Sequence, residues 1–166
     1  MHTLTIDYYF PTPDSKLALY SSDPEDNGCE HCHEFGELVI VEEGHGLHVI
    51  NGKPMYIQQG DVFFVSGADF HFYDELGTLK LINILINPRV NFGYLSGIEP
   101  LLQSFSGHDA SRYGWLAPDS RAHCKSLIEK IFSPAMLNDH KRALRESLFF
   151  QLLTTMLHAQ SEAEYS

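Results

Sequence analysis

The sequence is poor in basic residues and in long apolar runs. Its 166 residues contain 11 Lys and Arg against 22 Asp and Glu, which gives a formal net charge of −11 with histidine neutral. Binding to a nucleic-acid backbone depends on clustered Lys and Arg that displace counterions. We therefore do not expect these residues to bind DNA or RNA directly. No stretch reaches the roughly 18 uninterrupted apolar residues of a membrane span, so no membrane contact is expected either.

Cysteine is scarce as well, and this bears on the compartment. Cys29, Cys32 and Cys124 are odd in number, and the first two lie too close in sequence to staple a domain. The first residues also lack the basic segment followed by an apolar one that marks a secretory signal. A secreted disulfide scaffold is therefore disfavoured, and we expect a cytoplasmic protein.

What the sequence does contain is a globular composition in two differently patterned parts. Hydrophobic residues make up 43% and charged residues 20%, which suits one compact domain with a buried core. Residues 1–88 read as short strands rich in Val, Ile, Phe and Tyr, without intervening helices. Asn51-Gly52 favours the positive φ angles of a type I′ hairpin turn, and the glycines at 44–46, 60 and 67 predict further turns. The predicted strands are 4–10, 16–21, 37–43, 47–51, 55–58, 62–66, 71–74 and 79–87.

Eight short strands at close spacing predict a mainly β fold, a small barrel or jelly roll. In residues 89–166 the apolar spacing changes to 3.6, with a helix starting at Pro118 and another over 139–158. The second helix has an apolar stripe wider than packing on one sheet needs, which favours a homodimer interface. The alternative is packing on its own barrel and neighbouring helix. Residues 161–166 are small and acidic, as in a frayed tail or a linker. The stripe consists of Leu144, Leu148, Phe149, Leu152, Leu153, Met156 and Leu157.

The densest chemical signal is the segment 29–37, Cys-Glu-His-Cys-His-Glu-Phe-Gly-Glu, and four interpretations stay open. Cys29-x-x-Cys32-His33 matches the attachment signature of c-type haem, and Cys-x-x-Cys is also the pattern of a redox or zinc pair. Neither a secretion signal nor a second Cys-x-x-Cys supports these two interpretations. The third interpretation is a metal site, and the fourth is a set of polar side chains that hydrogen-bond one another or a neutral ligand.

The metal interpretation rests on strand alternation. If the segment is extended, His31 and His33 are two apart and share a face, and in a continuous strand Glu37, four residues further on, would share it too. His71 opens a later strand and can meet them if the two strands are neighbours. Three imidazoles and one carboxylate suit a divalent ion such as Zn, Ni, Fe or Mn and leave open positions. Because a buried carboxylate is costly without a cation or donor, Glu37 predicts a polar or metal-filled pocket if it faces inward.

The same residues resemble the motifs of the cupin family. His31-x-His33-x3-Glu37-x6-Gly44 fits the first cupin motif, and the segment 60–71 resembles the second. In the second motif Ser66 stands where Pro is usual and Ala68 where Gly is usual, and the terminal Asn is out of place. The resemblance implies a cupin barrel, a double-stranded β-helix, and these departures bear on metal occupancy.

A narrower resemblance covers nearly the whole chain. The segments 37–51, 60–63 and 83–85 are similar to the amino-terminal effector domain of AraC/XylS-family transcription activators, especially the regulators of bacterial L-rhamnose catabolism. This implies an effector-binding barrel in 1–88 and a helical dimerisation segment in 89–166. It also implies that DNA is bound through a carboxyl-terminal helix-turn-helix domain, which this chain lacks.

Two functions follow from these resemblances. As a sensor, the chain would bind a small sugar effector, with Tyr73 falling where the resemblance puts a sugar-contacting tyrosine, and Asn83, His31 and His71 as polar partners. As a cupin enzyme, an isomerase or dioxygenase, it would use the metal bound by His31, His33, Glu37 and His71. The enzyme would also need an acid or base, for which Tyr56, His48 and Glu43 are candidates without distinctive spacing. We favour the sensor, without a catalytic residue, because cupin chemistry has no necessary role for the long carboxyl-terminal helices.

Overall fold

Two long antiparallel strands, β4 (Gly36–Ile50) and β7 (His71–Ile86), organise the sheet. The computed structural model describes residues 2–22 and 28–165. The shorter strands are β1 (His2–Leu4), β2 (Leu17–Ser22), β3 (His31–His33), β5 (Lys53–Gln58), β6 (Asp61–Val65) and β8 (Gly114–Trp115). The helices are α1 (Ile6–Tyr9), α2 (Ile98–Gln103), α3 (Pro118–Ile131) and α4 (Arg142–Tyr165), with 3-10 turns at Ala110–Arg112, Pro134–Met136 and Asp139–Lys141.

Each long strand pairs with different neighbours along its two halves. The first half of β4 pairs with β6 and its second half with β5, while β7 pairs with β3 at its start and with β2 near its end. One layer is therefore β2-β7-β4-β6-β8, and the other is β1-β3-β7-β4-β5. The parallel pair β1-β3 makes the sheet mixed. This curled sheet confirms the cupin-type β fold that the motifs indicate.

The bend between the two layers lies at Gly44. The register of β4 against β7 shifts between Val41 and Glu43 and again between Gly44 and Gly46. Gly44 has a φ of +82°, and a Cβ atom there would lie 1.4 Å from the carbonyl oxygen of Thr78. Only glycine permits this backbone and this close approach. The glycines at 44–46, predicted to form a turn between two strands, therefore bend one strand instead, whereas Gly60 and Gly67 lie in turns as predicted. Strands β4 and β7 are each a single strand where the sequence suggested two.

Side chains from both layers meet in one apolar interior, while the opposite face of the first layer packs against the helices. The interior cluster is Val39, Val41, Ile50, Met55, Ile57, Phe63, Val65, Tyr73, Leu79, Leu81 and Tyr113. The second cluster joins Leu38, Ile40, Val62, Phe64, Ile82, Ile84 and Ile86 of the sheet to Leu127, Ile128 and Ile131 of α3 and to Leu148, Phe149, Leu152, Leu153 and Met156 of α4. Alternation along β4 thus sends odd-numbered residues before the bend inward and even-numbered ones to the helices.

The helical part agrees with the sequence in outline. Helix α3 begins at Pro118 as predicted, and α4 follows a 3-10 turn and continues to Tyr165, through most of the predicted tail. Most of the wide stripe on α4 is buried within this chain, but Leu144 stays 46% exposed. Strand β8 extends the sheet from beyond Pro88, and α2 is an element that the pattern did not predict. Within the described residues, no helix is long and apolar enough to cross a membrane.

One predicted strand is wrong. Residues 4–10 do not form a strand, because the chain leaves β1 after Leu4 and turns into the short helix α1. The Ile6 amide donates to the Glu34 carboxylate (2.9 Å), and the Phe10 amide bonds the Ile6 carbonyl (3.0 Å). Ile6 and Phe10 are four residues apart, so one helical turn buries both of them in the same small cluster.

The segment 87–95 after β7 is hydrogen-bonded both to Lys16, next to β2, and to Glu146 on α4. The Lys16 ammonium donates to the carbonyls of Asn87 (2.8 Å) and Val90 (2.6 Å). From α4, the Glu146 carboxylate accepts the amides of Gly93 and Tyr94, at 2.8 Å each, and that of Leu95 at 3.2 Å. A further bond joins this carboxylate to Arg142 (3.1 Å). Since both ties bond the same segment, the barrel and α4 are held at a fixed position relative to it.

Candidate functional site

Four polar side chains predicted to converge are buried together, three histidines from the second layer of the sheet and one glutamate from the first. His31 and His33 lie on β3, two residues apart and on one face, and His71 is the Cα partner of His31 on β7. Glu37 lies near the start of β4, on the inward face that it shares with Val39. All four polar residues are at most 5% exposed. Alternation on β3 puts His31 and His33 on one face, as argued from the sequence, whereas His71 and Glu37 reach the same place from β7 and β4.

The distances within this cluster suit a metal ion. The Nε2 atoms of His33 and His71 are 3.0 Å apart, and the Glu37 carboxylate lies 3.5 Å from the first and 3.7 Å from the second. One nitrogen from each of His31, His33 and His71 lies within 4.8 Å of the others. An ion that binds nitrogen at about 2.0–2.1 Å holds neighbouring ligand atoms about 3.0–3.5 Å apart. The spacing is therefore close to that of one coordination sphere.

Backbone carbonyls fix which imidazole nitrogens are available. The Nδ1 of His31 lies 2.8 Å from the carbonyl of Cys29, and the Nδ1 of His33 lies 2.7 Å from that of Phe35. Because a carbonyl oxygen accepts, each Nδ1 carries the proton, and each neutral ring presents a bare Nε2. In the described part of the chain, the Nε2 of His31 is buried without a hydrogen-bond partner. A buried acceptor of this kind suits a metal ion or a ligand hydroxyl, so these residues fit a divalent metal.

Burial keeps most of these rings uncharged. It is the main reason that the pKa of His31 is lowered and that of His71 lies well below its ordinary value. His33 differs: burial opposes its protonation, but the charge and hydrogen bond of Glu37 outweigh burial and raise its pKa. A neutral imidazole is the form that ligates a metal, and a bound cation would replace the proton as the partner of Glu37.

A fourth imidazole, His48 on β4, contacts the cluster from behind. Its Nε2 lies 2.8 Å from the Nδ1 of His71, and its ring stacks between Phe63 and Tyr73 with centroids 4.8 and 4.7 Å away. Burial lowers the pKa of His48 to about 3. Sequence reasoning offered His48 as an acid or base but not as a neighbour of His71. The signal that finds it is the register shift at Gly44, which changes the face that even-numbered residues of β4 present.

The two other predicted ligand-binding residues differ in position. Tyr73, two residues after His71 on β7, is 4% exposed and lies with its ring centroid 5.5 Å from that of His71. Asn83 is buried on the far half of β7, where its amide donates to the Tyr20 carbonyl on β2 (3.3 Å). The structure thus brings Tyr73 to the imidazoles and keeps Asn83 with β2.

The cysteines and the remaining acid or base candidates lie apart from the cluster. Cys29 is exposed, and the Cys32 sulfur is 3.4 Å from the Thr3 hydroxyl on the neighbouring strand. Tyr56 is 56% exposed and stacks on His45 at the outer surface. The converging metal-ligand atoms among the described residues all come from histidines, so the Cys-x-x-Cys interpretations gain no support.

A small surface cavity lies at a different place. It has a volume of about 100 Å³ and lies between the start of β4 and α2, where Glu34, Gly36, Gly67, Glu99 and Gln103 contribute to its lining. None of the four converging residues lines it. Sites for small molecules usually have volumes of about 300–1,000 Å³, so this cavity is too small to enclose a sugar.

A curled cupin-type barrel with buried imidazoles defines a ligand-binding domain of the cupin class. The chain belongs to the AraC-like ligand binding domain family, whose model matches residues 16–153. This agrees with the resemblance that the motifs carry, and it assigns the chain to a regulatory family.

The similar curated proteins are transcription activators. The chain is 34% identical over 148 residues to the HTH-type transcriptional activator RhaS of Mannheimia succiniciproducens, covering 89% of this chain and 54% of that protein. It is 36% identical over 151 residues to the protein of the same name from Enterobacter sp., with the same two shares. The chain therefore spans about half the length of the curated relatives it matches.

Solved structures similar to this chain include cupins. One is a cupin protein from Bacteroides fragilis, with a TM-score of 0.41 and 18% identity over 50% of this chain and 72% of that chain. Another is an RmlC-like cupin from Shewanella frigidimarina, with a TM-score of 0.39 and 25% identity over 45% of this chain and 68% of that chain. The fold assignment rests on the strand order and the family match.

Proposed function

We propose that this chain is the ligand-sensing and dimerisation domain of an AraC-family regulator and binds a small sugar or sugar-like effector inside its barrel. The observation that carries the proposal is the group of buried imidazoles in an apolar interior, with the Nε2 of His31 unpartnered among the described residues. A sugar needs polar partners for its hydroxyls and an aromatic face for its C–H surface. His31, His71 and the ring of Tyr73 supply both, and Asn83 would contribute its side-chain oxygen, since its bond to β2 uses the amide nitrogen.

A divalent metal is part of this proposal. His31, His33, His71 and Glu37 would hold Zn, Ni, Fe or Mn, because three neutral imidazoles and a carboxylate match the donor preference of these ions. When bound, the ion would supply positive charge and open coordination positions for ligand oxygens. The protein residues would hold the ligand in place and exclude bulk water from it.

The proposed homodimer uses the outer face of α4. Leu144 is 46% and Phe150 40% exposed, and the exposed residues of 143–160 include no Asp, Glu, Lys or Arg. An uncharged face with exposed apolar side chains is typical of a surface that is covered in an assembly. DNA would be reached through a helix-turn-helix domain outside this chain, because the chain itself is strongly acidic. A transcription activator acts where the chromosome lies, so the proposal assigns the chain to the cytoplasm.

Thermal melting with a ligand panel tests the effector. Rhamnose, arabinose, fucose and sugar alcohols are added with and without divalent metal, to the wild type, to His31→Ala and to the exposed control His45→Ala. A ligand at 100 times its dissociation constant adds about 2.7 kcal/mol, or roughly 5–10 °C for a domain of this size. We expect one compound to raise the melting temperature of the wild type and His45→Ala, and not that of His31→Ala. No shift with any compound would contradict the proposal.

The dimer is tested by sedimentation. We expect the wild type to run as a dimer and Phe150→Glu as a folded monomer, because the buried charge would oppose association. Leu152, part of the predicted stripe, is fully buried within the chain and would be a poor position for this test. A folded wild-type monomer at high concentration would refute the dimer.

The second candidate is a metal-dependent cupin enzyme, favoured by a donor set that leaves coordination positions open. The two functions are separated by one comparison. Turnover of a carbonyl or dioxygen substrate that depends on added Fe or Mn, together with no melting shift for any sugar, would favour the enzyme.

A further inference from the structure

His48 is held between two aromatic rings and bonded to His71. It lies opposite Tyr73 in the β4-β7 register and is fully buried. Its ring is nearly parallel to those of Tyr73 (16°) and Phe63 (27°), which fix the plane in which its nitrogens lie. Its Nε2 faces the Nδ1 of His71, and its Nδ1 is buried with no hydrogen-bond partner in the described structure.

In the uncharged cluster, the hydrogen bonds place each proton. Neutral His33 donates from Nδ1 to the Phe35 carbonyl, so its Nε2 is bare, and the 3.0 Å contact is then a hydrogen bond donated by the Nε2 of His71. The Nδ1 of His71 is then bare and accepts from the Nε2 of His48 at 2.8 Å. In this state the Nε2 of His71 cannot bind a metal, because its lone pair is replaced by a proton.

A metal reverses this arrangement. To ligate through Nε2, His71 must carry its proton on Nδ1, and this N–H then needs an acceptor in a buried place. The Nε2 of His48 becomes that acceptor when it passes its proton to the Nδ1 of His71. The proton displaced from the Nε2 of His71 leaves to solvent, and a proton from solvent replaces it on the Nδ1 of His48. His48 and His71 each carry one proton before and after, so neither ring changes its charge.

We propose that His48 is a positioning residue that selects the tautomer of His71: it donates to His71 in the metal-free cluster and accepts from it when the metal is bound. This inference rests on the proposed metal site. A metal ligand whose second nitrogen lacks its partner typically loses affinity by about 10–100-fold. His48 would therefore change the affinity for an ion that it does not itself bind.

The test uses Co²⁺ alone, whose visible spectrum reports coordination, in competition with a chromophoric chelator. We expect His48→Leu to weaken Co²⁺ binding by about 10–100-fold. His48→Gln, whose carbonyl oxygen accepts from the Nδ1–H of His71, should recover most of the loss. The exposed histidine of the same strand is the control, and His45→Leu should bind as the wild type does. Equal affinity in the wild type and a folded His48→Leu would overturn the inference.

A second measurement does not depend on any variant folding. In ¹⁵N spectra of the wild-type imidazoles, we expect His48 and His71 to change from the Nε2–H to the Nδ1–H form when diamagnetic Zn²⁺ is added. Metal binding with unchanged tautomers would overturn the inference but leave the metal site standing. A wild type that binds neither ion would refute the metal site, and the inference would fail with it.

Discussion

Replacing Glu146 by alanine should lower the free energy of unfolding more than the same replacement at any exposed position of α4. Its side chain is 5% exposed and accepts the three amides of residues 93–95 as well as the Arg142 guanidinium. Hydrogen bonds to a charged group contribute about 1.5–3 kcal/mol each, and such losses are not additive. Because Tyr94 is 70% exposed, water can replace part of what is lost. We therefore expect Glu146→Ala to lower the free energy of unfolding by about 3–4 kcal/mol, a large part of the roughly 5–15 kcal/mol typical of a domain.

Urea denaturation measures this loss, and amide hydrogen exchange locates it. The exposed Gln151 on the same helix is the control, and Gln151→Ala should change stability by less than about 0.5 kcal/mol. In Glu146→Ala the amides of residues 93–95 should exchange much faster, while those of β4 and β7 change only with global stability. A loss below about 1 kcal/mol with unchanged exchange at 93–95 would refute the reasoning.

The same carboxylate predicts a dependence on pH. Burial would raise the pKa of Glu146, but the amides of Gly93 and Tyr94 and the Arg142 guanidinium outweigh it and hold the pKa below the ordinary value. The stabilisation is then complete above the pKa of the unfolded chain and is lost as the pH falls through the lower pKa of the folded state. Glu146→Gln should therefore lose less stability on acidification than the wild type, and equal losses would contradict this assignment.

Two further predictions concern the bend at Gly44 and a half-buried acid, Asp61. Gly44→Ala should strongly lower the free energy of unfolding, because its Cβ would overlap the Thr78 carbonyl. The control is Gly52→Ala, which is also at positive φ but has open space around it and should cost about 1 kcal/mol. Urea unfolding midpoints that are similar for the two variants would refute the close approach at Gly44. Burial raises the pKa of Asp61 to about 6, so its ionisation opposes folding as the pH rises from about 4 to above 6. Asp61→Asn should gain stability relative to the wild type at pH 8 and much less at pH 4, and a gain independent of pH would refute this.

Strand alternation over a short stretch predicts that His31 and His33 share a face, and the resemblance to the cupin motifs adds Glu37 and His71, which lie on other strands. Neither predicts His48. Alternation counted from Glu37 along β4 puts position 48 on the outer face, and the register shifts around Gly44 bring it inside. A bulge depends on how the partner strand approaches, here the carbonyl of Thr78, and no local pattern specifies that contact.

In the helical half, too, the local pattern does not specify contacts with residues distant in sequence. The apolar spacing of α4 predicts the helix and its buried side, but it does not distinguish burial within the chain from burial against a second copy. Leu148 and Leu152 pack inside the chain, while Leu144 stays exposed. In residues 4–10, apolar residues two and four apart satisfied a strand and a helical turn equally. The Glu34 carboxylate, distant in sequence, decides for the turn by accepting the amide of Ile6.

Strands β4 and β7 run through both layers of the sheet, so substitutions and length changes in them affect both layers. The shorter strands each belong to one layer and are less constrained. Strands β3 and β5 belong to the layer that holds the imidazoles, so their substitution could retune what the barrel recognises without altering the surface under α3 and α4. A change of length in β4 or β7 would move the layer with the imidazoles and the surface under the helices at the same time. Divergence of specificity among relatives should therefore concentrate on β3 and β5, with insertions and deletions excluded from the two shared strands.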